Sequence, residues 1–272
     1  MAIKLIATDM DDTLLGSNIQ ISERNAAAIK KAIDAGIVVM IATGRMYVSV
    51  KPFADKLGLD VPLVTYNGAL VKGSQSGKVY YEHPLKLQSA LDLLAYCKEK
   101  GYYIQAYVGN ELLVRTPNLF SKEYTRIANV PARPVGEELF NLKQAPYKLL
   151  AMTKPEDFKA VWKDVEERFD GRVEVTSSKD CFLELMEPGV NKWEAVKAVG
   201  EMYGIKPEEI MCIGDSNNDL TMVKNAGLGV AVANANEAVR KAAKMITASN
   251  DEDGVALAIE AVLTPQREVP EN

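Results

Sequence analysis

Three short apolar runs constrain the fold of this chain more than any other feature. Ile3 to Ala7, Ile37 to Ala42 and Val61 to Tyr66 are each five or six residues long and rich in β-branched side chains. Each is followed by polar or turn-forming residues: Asp9-Met10-Asp11-Asp12-Thr13, Thr43-Gly44-Arg45 and Asn67-Gly68. Runs of this length and composition read as buried strands. Between the first two, Ser22 can cap a helix running to about Ala35, with Ile29 and Ile33 on one face and Gly36 placed to end it. A second helix covers about Tyr47 to Leu57. Strand–helix alternation predicts a parallel sheet with right-handed crossovers. Ligand sites in such sheets lie beyond the carboxyl ends of the strands. Asp9, Thr43 and Asn67 all fall there.

The rhythm changes near residue 72. Gly73 to Gly77 reads as a hairpin turn and Lys78 to Glu82 as its return strand. Mixed segments follow from His83-Pro84 to Glu187-Pro188-Gly189. Helices are expected over Leu87–Lys100, Asn118–Ile127 and Pro155–Phe169, and strands over Tyr102–Val108, Glu111–Arg115, Tyr147–Met152, Arg172–Ser177 and Cys181–Glu187. That is roughly 100 residues of α+β pattern, a domain's worth. The first pattern then resumes. A helix over Lys192–Tyr203 precedes a buried strand, Glu209 to Ile213, which ends in Gly214-Asp215-Ser216-Asn217-Asn218-Asp219. The next helix starts near Asp219, with Asn218 or Asp219 able to cap it. A short strand follows over Gly229–Val232, and residues from about Thr264 read as a frayed polar tail. The expected class is α/β: a doubly wound, Rossmann-like parallel sheet formed by residues 1–83 and 188–272, with an α+β domain inserted at 84–187.

Composition removes several function classes. The net charge is −5 and no basic run exists, so nucleic acid has no electrostatic footprint. An anionic substrate would need local positive charge from a metal or a few placed cations. Cys97, Cys181 and Cys212 are far apart with no C-x-x-C pair, which argues against a zinc site or a disulfide framework and fits a reducing cytoplasm. The N-terminus turns acidic by Asp9, unlike a signal peptide. No apolar run approaches the ~20 residues of a membrane span. The lone histidine, His83, precedes Pro84 after a strand-like segment and reads as a hinge or loop residue.

The acids after the first strand invite chemistry. In extended chain, Asp9 and Asp11 point to one side while Asp12 points away. Two carboxylates at one spot repel unless a cation or a shared proton intervenes, and oxygen ligands of this kind suit Mg²⁺. Each signal also has an ordinary reading. Asp-x-Asp can be a solvated loop, Thr43 a strand end and Lys192 a solvated helix-start lysine. Asp215 and Asp219 can be turn and cap residues, and Asn67-Gly68 a turn.

Taken in order, Asp9-Met10-Asp11-Asp12-Thr13, Thr43-Gly44-Arg45, Lys192 and Gly214-Asp215-Ser216-Asn217-Asn218-Asp219 resemble the four motifs of haloacid dehalogenase-like phosphatases. More narrowly the chain resembles the Cof-type subfamily, near the YidA-like sugar phosphatases, whose large cap sits between the second and third motifs. The resemblance covers about residues 1–263. It implies an Mg²⁺-dependent phosphatase acting on small phosphorylated metabolites such as sugar phosphates. Asp9 is then the nucleophile that forms an aspartyl-phosphate, and Asp11 the acid and base. Mg²⁺ is held by Asp9, the Asp11 carbonyl and Asp215, with Asp219 acting through water. Thr43, the N–H groups of Met10 and Gly44, Lys192 and Asn218 bind phosphate oxygens. Arg45 and Asn67 are substrate-side candidates. The residue types suit the task. Each like-charge pair at ~4 Å and an effective dielectric of ~20 costs about 4 kcal/mol, roughly a thousandfold in rate. Two residues depart from the family pattern: Asp12 and Trp193 stand where relatives commonly have glycine. Two other readings compete. One is a phosphomutase, which would need cations such as Arg115, Arg126, Arg133 or Lys148 for a second phosphate. The other is a non-enzymatic phospho-aspartate switch.

Overall fold

The computed structural model describes residues 2–58 and 60–264. The chain opens with β1 (Leu5–Thr8), α1 (Glu23–Asp34), β2 (Val38–Ala42), α2 (Tyr47–Leu57), β3 (Pro62–Thr65) and a hairpin of β4 (Leu70–Gly73) and β5 (Val79–Glu82). There follow α3 (Leu87–Lys100), β6 (Tyr103–Val108), β7 (Glu111–Val114), α4 (Leu119–Ala128), β8 (Ala132–Pro134), β9 (Lys148–Met152), α5 (Phe158–Arg168), β10 (Glu174–Lys179) and β11 (Phe182–Met186). The last part holds α6 (Lys192–Met202), β12 (Ile210–Gly214), α7 (Leu220–Asn225), β13 (Leu228–Ala231), α8 (Glu237–Ala242), β14 (Met245–Ile246) and α9 (Gly254–Leu263).

Two sheets result. The first has the order β14-β13-β12-β1-β2-β3-β4-β5, parallel from β14 to β3 and antiparallel at the β4–β5 edge. The second has the order β10-β11-β9-β6-β7-β8 and is antiparallel except for the β7–β8 pair. β1 lies between β12 and β2 and is wholly buried, as expected of a central strand covered on both faces. Local chemistry agrees with tertiary packing here. Ser22 accepts a hydrogen bond from the Asn25 N–H at the start of α1, and Gly36 beyond its end adopts φ +82°. The α/β architecture is the one expected.

The second sheet presents two different faces. Leu149 and Ala151 of β9, with Leu183 and Leu185 of β11, pack with Leu93, Leu94, Val161 and Val165 of α3 and α5. The alternating residues Leu150, Met152, Phe182 and Met186 belong to the large cluster that also contains the first sheet's core. Period-2 alternation places Lys148 and Glu184 on that same inner face.

Several elements differ from the sequence reading. Helix α5 begins at Phe158 rather than Pro155, because residues 154–157 form a turn in which the Asp157 N–H donates to the Lys154 carbonyl. β8 carried no strand signal: it is three residues long, lies at the sheet edge and ends in Pro134, which has no N–H to pair. Helices α8 and α9 and strand β14 had not been read from sequence. The expected frayed tail beyond Thr264 lies outside the described residues.

Candidate active site

The β1 strand delivers Asp9 to the carboxyl edge of the first sheet, where its N–H donates to the Ile213 carbonyl of β12. The chain then leaves extended geometry. Asp12 adopts φ +57°, a left-handed conformation that aspartate tolerates better than most residues. The Leu15 N–H closes the turn on the Met10 carbonyl. Asp9 and Asp11 line one cavity, as expected, but Asp12 lines it as well instead of pointing away. The left-handed residue turns the chain, so strand alternation no longer applies. Met10 is fully buried, so whatever it offers the cavity comes from its main chain. The Thr13 hydroxyl donates to Asp215 Oδ1 at 2.7 Å and joins this turn to the end of β12.

Lys192 sits in the first turn of α6, which Asn191 caps by accepting from the Glu194 N–H. Its side chain is 0% exposed, with Nζ 2.5 Å from Asp9 Oδ1 and 2.6 Å from Asp219 Oδ1. Burial works against an ammonium charge, but Asp219 and Asp9 outweigh it and hold Lys192 protonated. Asp219 occupies the N-cap position of α7, one of the two the sequence offered, but its side chain makes no capping hydrogen bond to that helix. The chain enters α7 through a tight turn, Asn217–Asp219, that is capped by Ser216. Asp219 Oδ1 is thereby free to meet Lys192, while Oδ2 accepts from the N–H groups of Asp215 and Ser216 at 3.1 Å each. Gly214 is required beside it, since a Cβ there would lie 2.5 Å from that of Asp219.

Asp9, Asp215 and Asp219 each place a carboxylate oxygen so that the three lie within 4.8 Å of one another. Burial first, then Asp219, pushes the Asp9 carboxyl well above its ordinary range despite the opposing pull of Lys192. The same two causes push Asp215 up to about 7, against the Thr13 hydrogen bond. One lysine therefore leaves negative charge uncompensated. All-oxygen donors with surplus negative charge fit a hard divalent cation such as Mg²⁺.

Of the other predicted residues, Thr43, Gly44, Arg45 and Asn218 line the cavity, while Asn67, Lys192 and Asp219 lie behind its wall. Thr43 is buried, and its hydroxyl accepts from the Arg45 N–H at 3.1 Å, which leaves the hydroxyl proton free to donate. Arg45 holds Asp11 through two parallel bonds, Nε–Oδ2 at 2.7 Å and Nη2–Oδ1 at 2.5 Å. Asn67 follows Tyr66, and both are left-handed at φ +57° and +52°. Two successive non-glycine residues in that region mark a strained segment. Gly68, at φ +108°, passes so close to α6 that a Cβ would stand 2.4 Å from the Asn191 carbonyl oxygen. The Asn218 amide donates to Asn67 Oδ1 at 3.0 Å.

The second sheet supplies what the sequence reading missed. Lys148, Ser178, Phe182 and Glu184 line the same cavity, whose volume is about 60 Å³, room for a few water molecules. Lys148 had been considered only as a possible phosphate contact. Glu184 was overlooked, although a charge in the middle of Phe182-Leu183-Glu184-Leu185-Met186 breaks an otherwise apolar strand. Arg115, Arg126 and Arg133 lie elsewhere, in ion pairs with Glu137, Glu123 and Glu111. Exposed His83 packs its ring on Tyr81 and does not line this cavity. Trp193 is buried in the core beside Lys192.

The profile of one family, haloacid dehalogenase-like hydrolase, matches residues 6–259. The 5-amino-6-(5-phospho-D-ribitylamino)uracil phosphatase YwtE of Bacillus subtilis (strain 168) is 31% identical, over 97% of this chain and 99% of that protein. Among solved structures, a haloacid dehalogenase-like hydrolase from Bacteroides thetaiotaomicron is 31% identical with a TM-score of 0.85, covering 96% of this chain and 99% of its own. The haloacid dehalogenase subclass IIB sugar phosphatase BT4131 is 26% identical with a TM-score of 0.83, covering 95% of this chain and 98% of its own.

Proposed function

The chain belongs to the haloacid dehalogenase-like hydrolases and is a phosphoric monoester hydrolase, and from this premise we propose an Mg²⁺-dependent phosphatase of small sugar-type phosphates that works through an aspartyl-phosphate on Asp9. The observation that carries the reading is the fully buried Lys192 ammonium between Asp9 and Asp219, with Asp215 alongside. A carboxylate can attack a dianionic phosphate only where positive charge quenches the repulsion, and such charge acts most strongly in a site sheltered from water.

In this mechanism an Asp9 oxygen bonds to phosphorus as the ester P–O bond breaks. Asp11 gives its proton to the departing alcohol oxygen. It then takes a proton from the water that cleaves the acyl phosphate, which returns Asp9 and releases inorganic phosphate. Arg45 grips both Asp11 oxygens, so one of these two bonds gives way when Asp11 carries the proton. Thr43, with its proton free, the N–H groups of Met10 and Gly44, Lys192 and Asn218 would receive the phosphoryl oxygens. Asp9, Asp215 and the Asp11 carbonyl would hold Mg²⁺, which when bound neutralises charge on the phosphoryl group. Asp219 stands behind them, because both its oxygens are already engaged.

Residues 84–187 would act as a cap over this site. The relatives support the substrate class. One is named for 5-amino-6-(5-phospho-D-ribitylamino)uracil and another as a sugar phosphatase, so in both the phosphate leaves a hydroxylated carbon chain. A mutase lacks support, since three of the four candidate cations are paired with glutamates outside the cavity. No helix among the described residues is long and apolar enough to cross a membrane. The setting we propose is the cytoplasm, consistent with Cys97, Cys181 and Cys212 being free thiols. The test is phosphate release from a panel of sugar and polyol phosphates, with Mg²⁺ and with chelator. Activity that depends on Mg²⁺ and disappears in Asp9→Asn is expected. Undiminished turnover by Asp9→Asn would remove the nucleophile assignment.

A further inference from the structure

We propose that Lys148 and Glu184 are the specificity-determining pair for the leaving alcohol, admitting neutral hydroxylated groups and rejecting anionic ones. The inference rests on the phosphatase reading above and deepens it. The two residues lie on adjacent antiparallel strands, β9 and β11, on the face where their neighbours Leu150, Met152, Phe182 and Met186 join the apolar core. Each is 2% exposed. Burying an ion pair there is costly, and two apolar residues of similar volume would hold the sheets together as well or better. The pair therefore calls for a purpose other than packing.

Its surroundings supply one. Lys148 Nζ lies 2.7 Å from Glu184 Oε2 and 2.7 Å from the Gly44 carbonyl oxygen, at the rim that carries Thr43 and Arg45. Glu184 Oε2 also accepts from the Asn67 amide, and Oε1 accepts from the Ser178 hydroxyl, both at 2.5 Å. Both side chains line the cavity that contains Asp9 and Asp11. An ammonium has three N–H donors, and a carboxylate has about four acceptor positions. Lys148 engages two donors among the described residues, with the Tyr107 ring 4.8 Å away, and Glu184 engages three positions. On this count one Lys148 N–H and one acceptor position, on Glu184 Oε1, have no hydrogen-bond partner among the described residues. A hydroxyl accepts from the first and gives its own proton to the second, and two neighbouring hydroxyls do this without leaving a group unpaired. A carboxylate or second phosphate has no proton to give. It would meet Glu184 with no surplus positive charge, because Lys148 is already neutralised. Phe182 and Tyr124 form the apolar wall beside the pair, suited to the carbon face of such a leaving group.

The experiment compares glycerol 3-phosphate with 3-phosphoglycerate, which differ by a hydroxymethyl group against a carboxylate. Both are assayed with the full chain and Mg²⁺. The readout is the ratio of their kcat/KM values, which a general loss of activity leaves unmoved. The wild type should prefer glycerol 3-phosphate at least tenfold. Glu184→Gln, which keeps shape and removes the charge, should shrink that ratio about tenfold, mainly through KM. The paired change Lys148→Met with Glu184→Leu retains apolar packing and should shrink it likewise; it serves as the measure if the single variant does not fold. An unchanged ratio in a folded variant would overturn the assignment and leave a merely structural pair. Absence of phosphate release from both esters by a wild type that hydrolyses other sugar phosphates would overturn this proposal and leave the phosphatase reading standing; absence across the whole panel would overturn both.

Discussion

Replacing Asp215 by asparagine keeps the side chain's shape and its bond to Thr13 but removes one of three crowded carboxylates. Without metal, the Asp215 carboxyl titrates at about 7 instead of 3.8, through burial first and the Asp219 charge second. A raised carboxyl pKa means that the folded chain keeps a proton the unfolded chain has already lost. Stability therefore falls as pH rises from about 4 to about 7, and the full penalty is present above that window. Three pKa units correspond to about 4 kcal/mol as an upper bound. Asp215 is only partly shielded from solvent, so roughly half that value, about 2 kcal/mol, is the working figure. In chelator at pH 8, Asp215→Asn should then melt higher than the wild type by about 3–4 °C. At pH 4.5 the gain should fall to about a quarter of that, since the folded wild type is still protonated there and pH 4.5 lies only just above the unfolded carboxyl's 3.8, near the bottom of the window. Added Mg²⁺ should reverse the order: the wild type gains stability by mass action and the variant, lacking a ligand, gains little. Thermal unfolding at the two pH values, with chelator and with Mg²⁺, measures all three differences. A variant that melts below the wild type in chelator at pH 8, or that Mg²⁺ stabilises equally, would refute the reasoning.

Three further outcomes follow from the same geometry. Asp11→Asn should slow the pre-steady-state release of the alcohol from alkyl phosphates by about 10²–10⁴ and the release of p-nitrophenolate far less, because an aryl oxide leaves without a proton, while hydrolysis of the shared intermediate slows alike for both; equal losses in the release step would argue against Asp11 as the acid. Lys192→Met leaves Asp9 and Asp219 buried without their shared cation and should lower stability by about 3–5 kcal/mol, measured by denaturant unfolding, with activity lost in the fraction that folds. Gly68→Ala forces a Cβ against the Asn191 carbonyl at a φ of +108° and should cost about 1–3 kcal/mol while lowering kcat, since Asn191 caps the helix that carries Lys192.

How far the chain could be read from its sequence follows from the range of the forces involved. The strands at Leu5–Thr8, Val38–Ala42 and Pro62–Thr65, the helix over Tyr47–Leu57 and the caps at Ser22 and Gly36 are set by neighbours a few residues away. Apolar runs, caps and breakers therefore announce them. The parallel sheet follows in turn, and with it the edge where Asp9, Thr43 and Asn67 gather, because alternation admits few topologies. What escaped has one common character. The grip of Arg45 on Asp11, the turn of the Asp219 carboxylate toward Lys192, and the placement of Glu184 against Asn67 join residues 27 to 117 positions apart. The first two depend on which strand and helix ends the order of the first sheet brings together, the third on where the second sheet comes to rest against the first, and no local pattern of side chains encodes those distances. Charge makes the difference sharper. A glutamate in a strand is equally at home in water or against a buried lysine, and the choice is made only when the inner face of the second sheet closes on the first and removes the water.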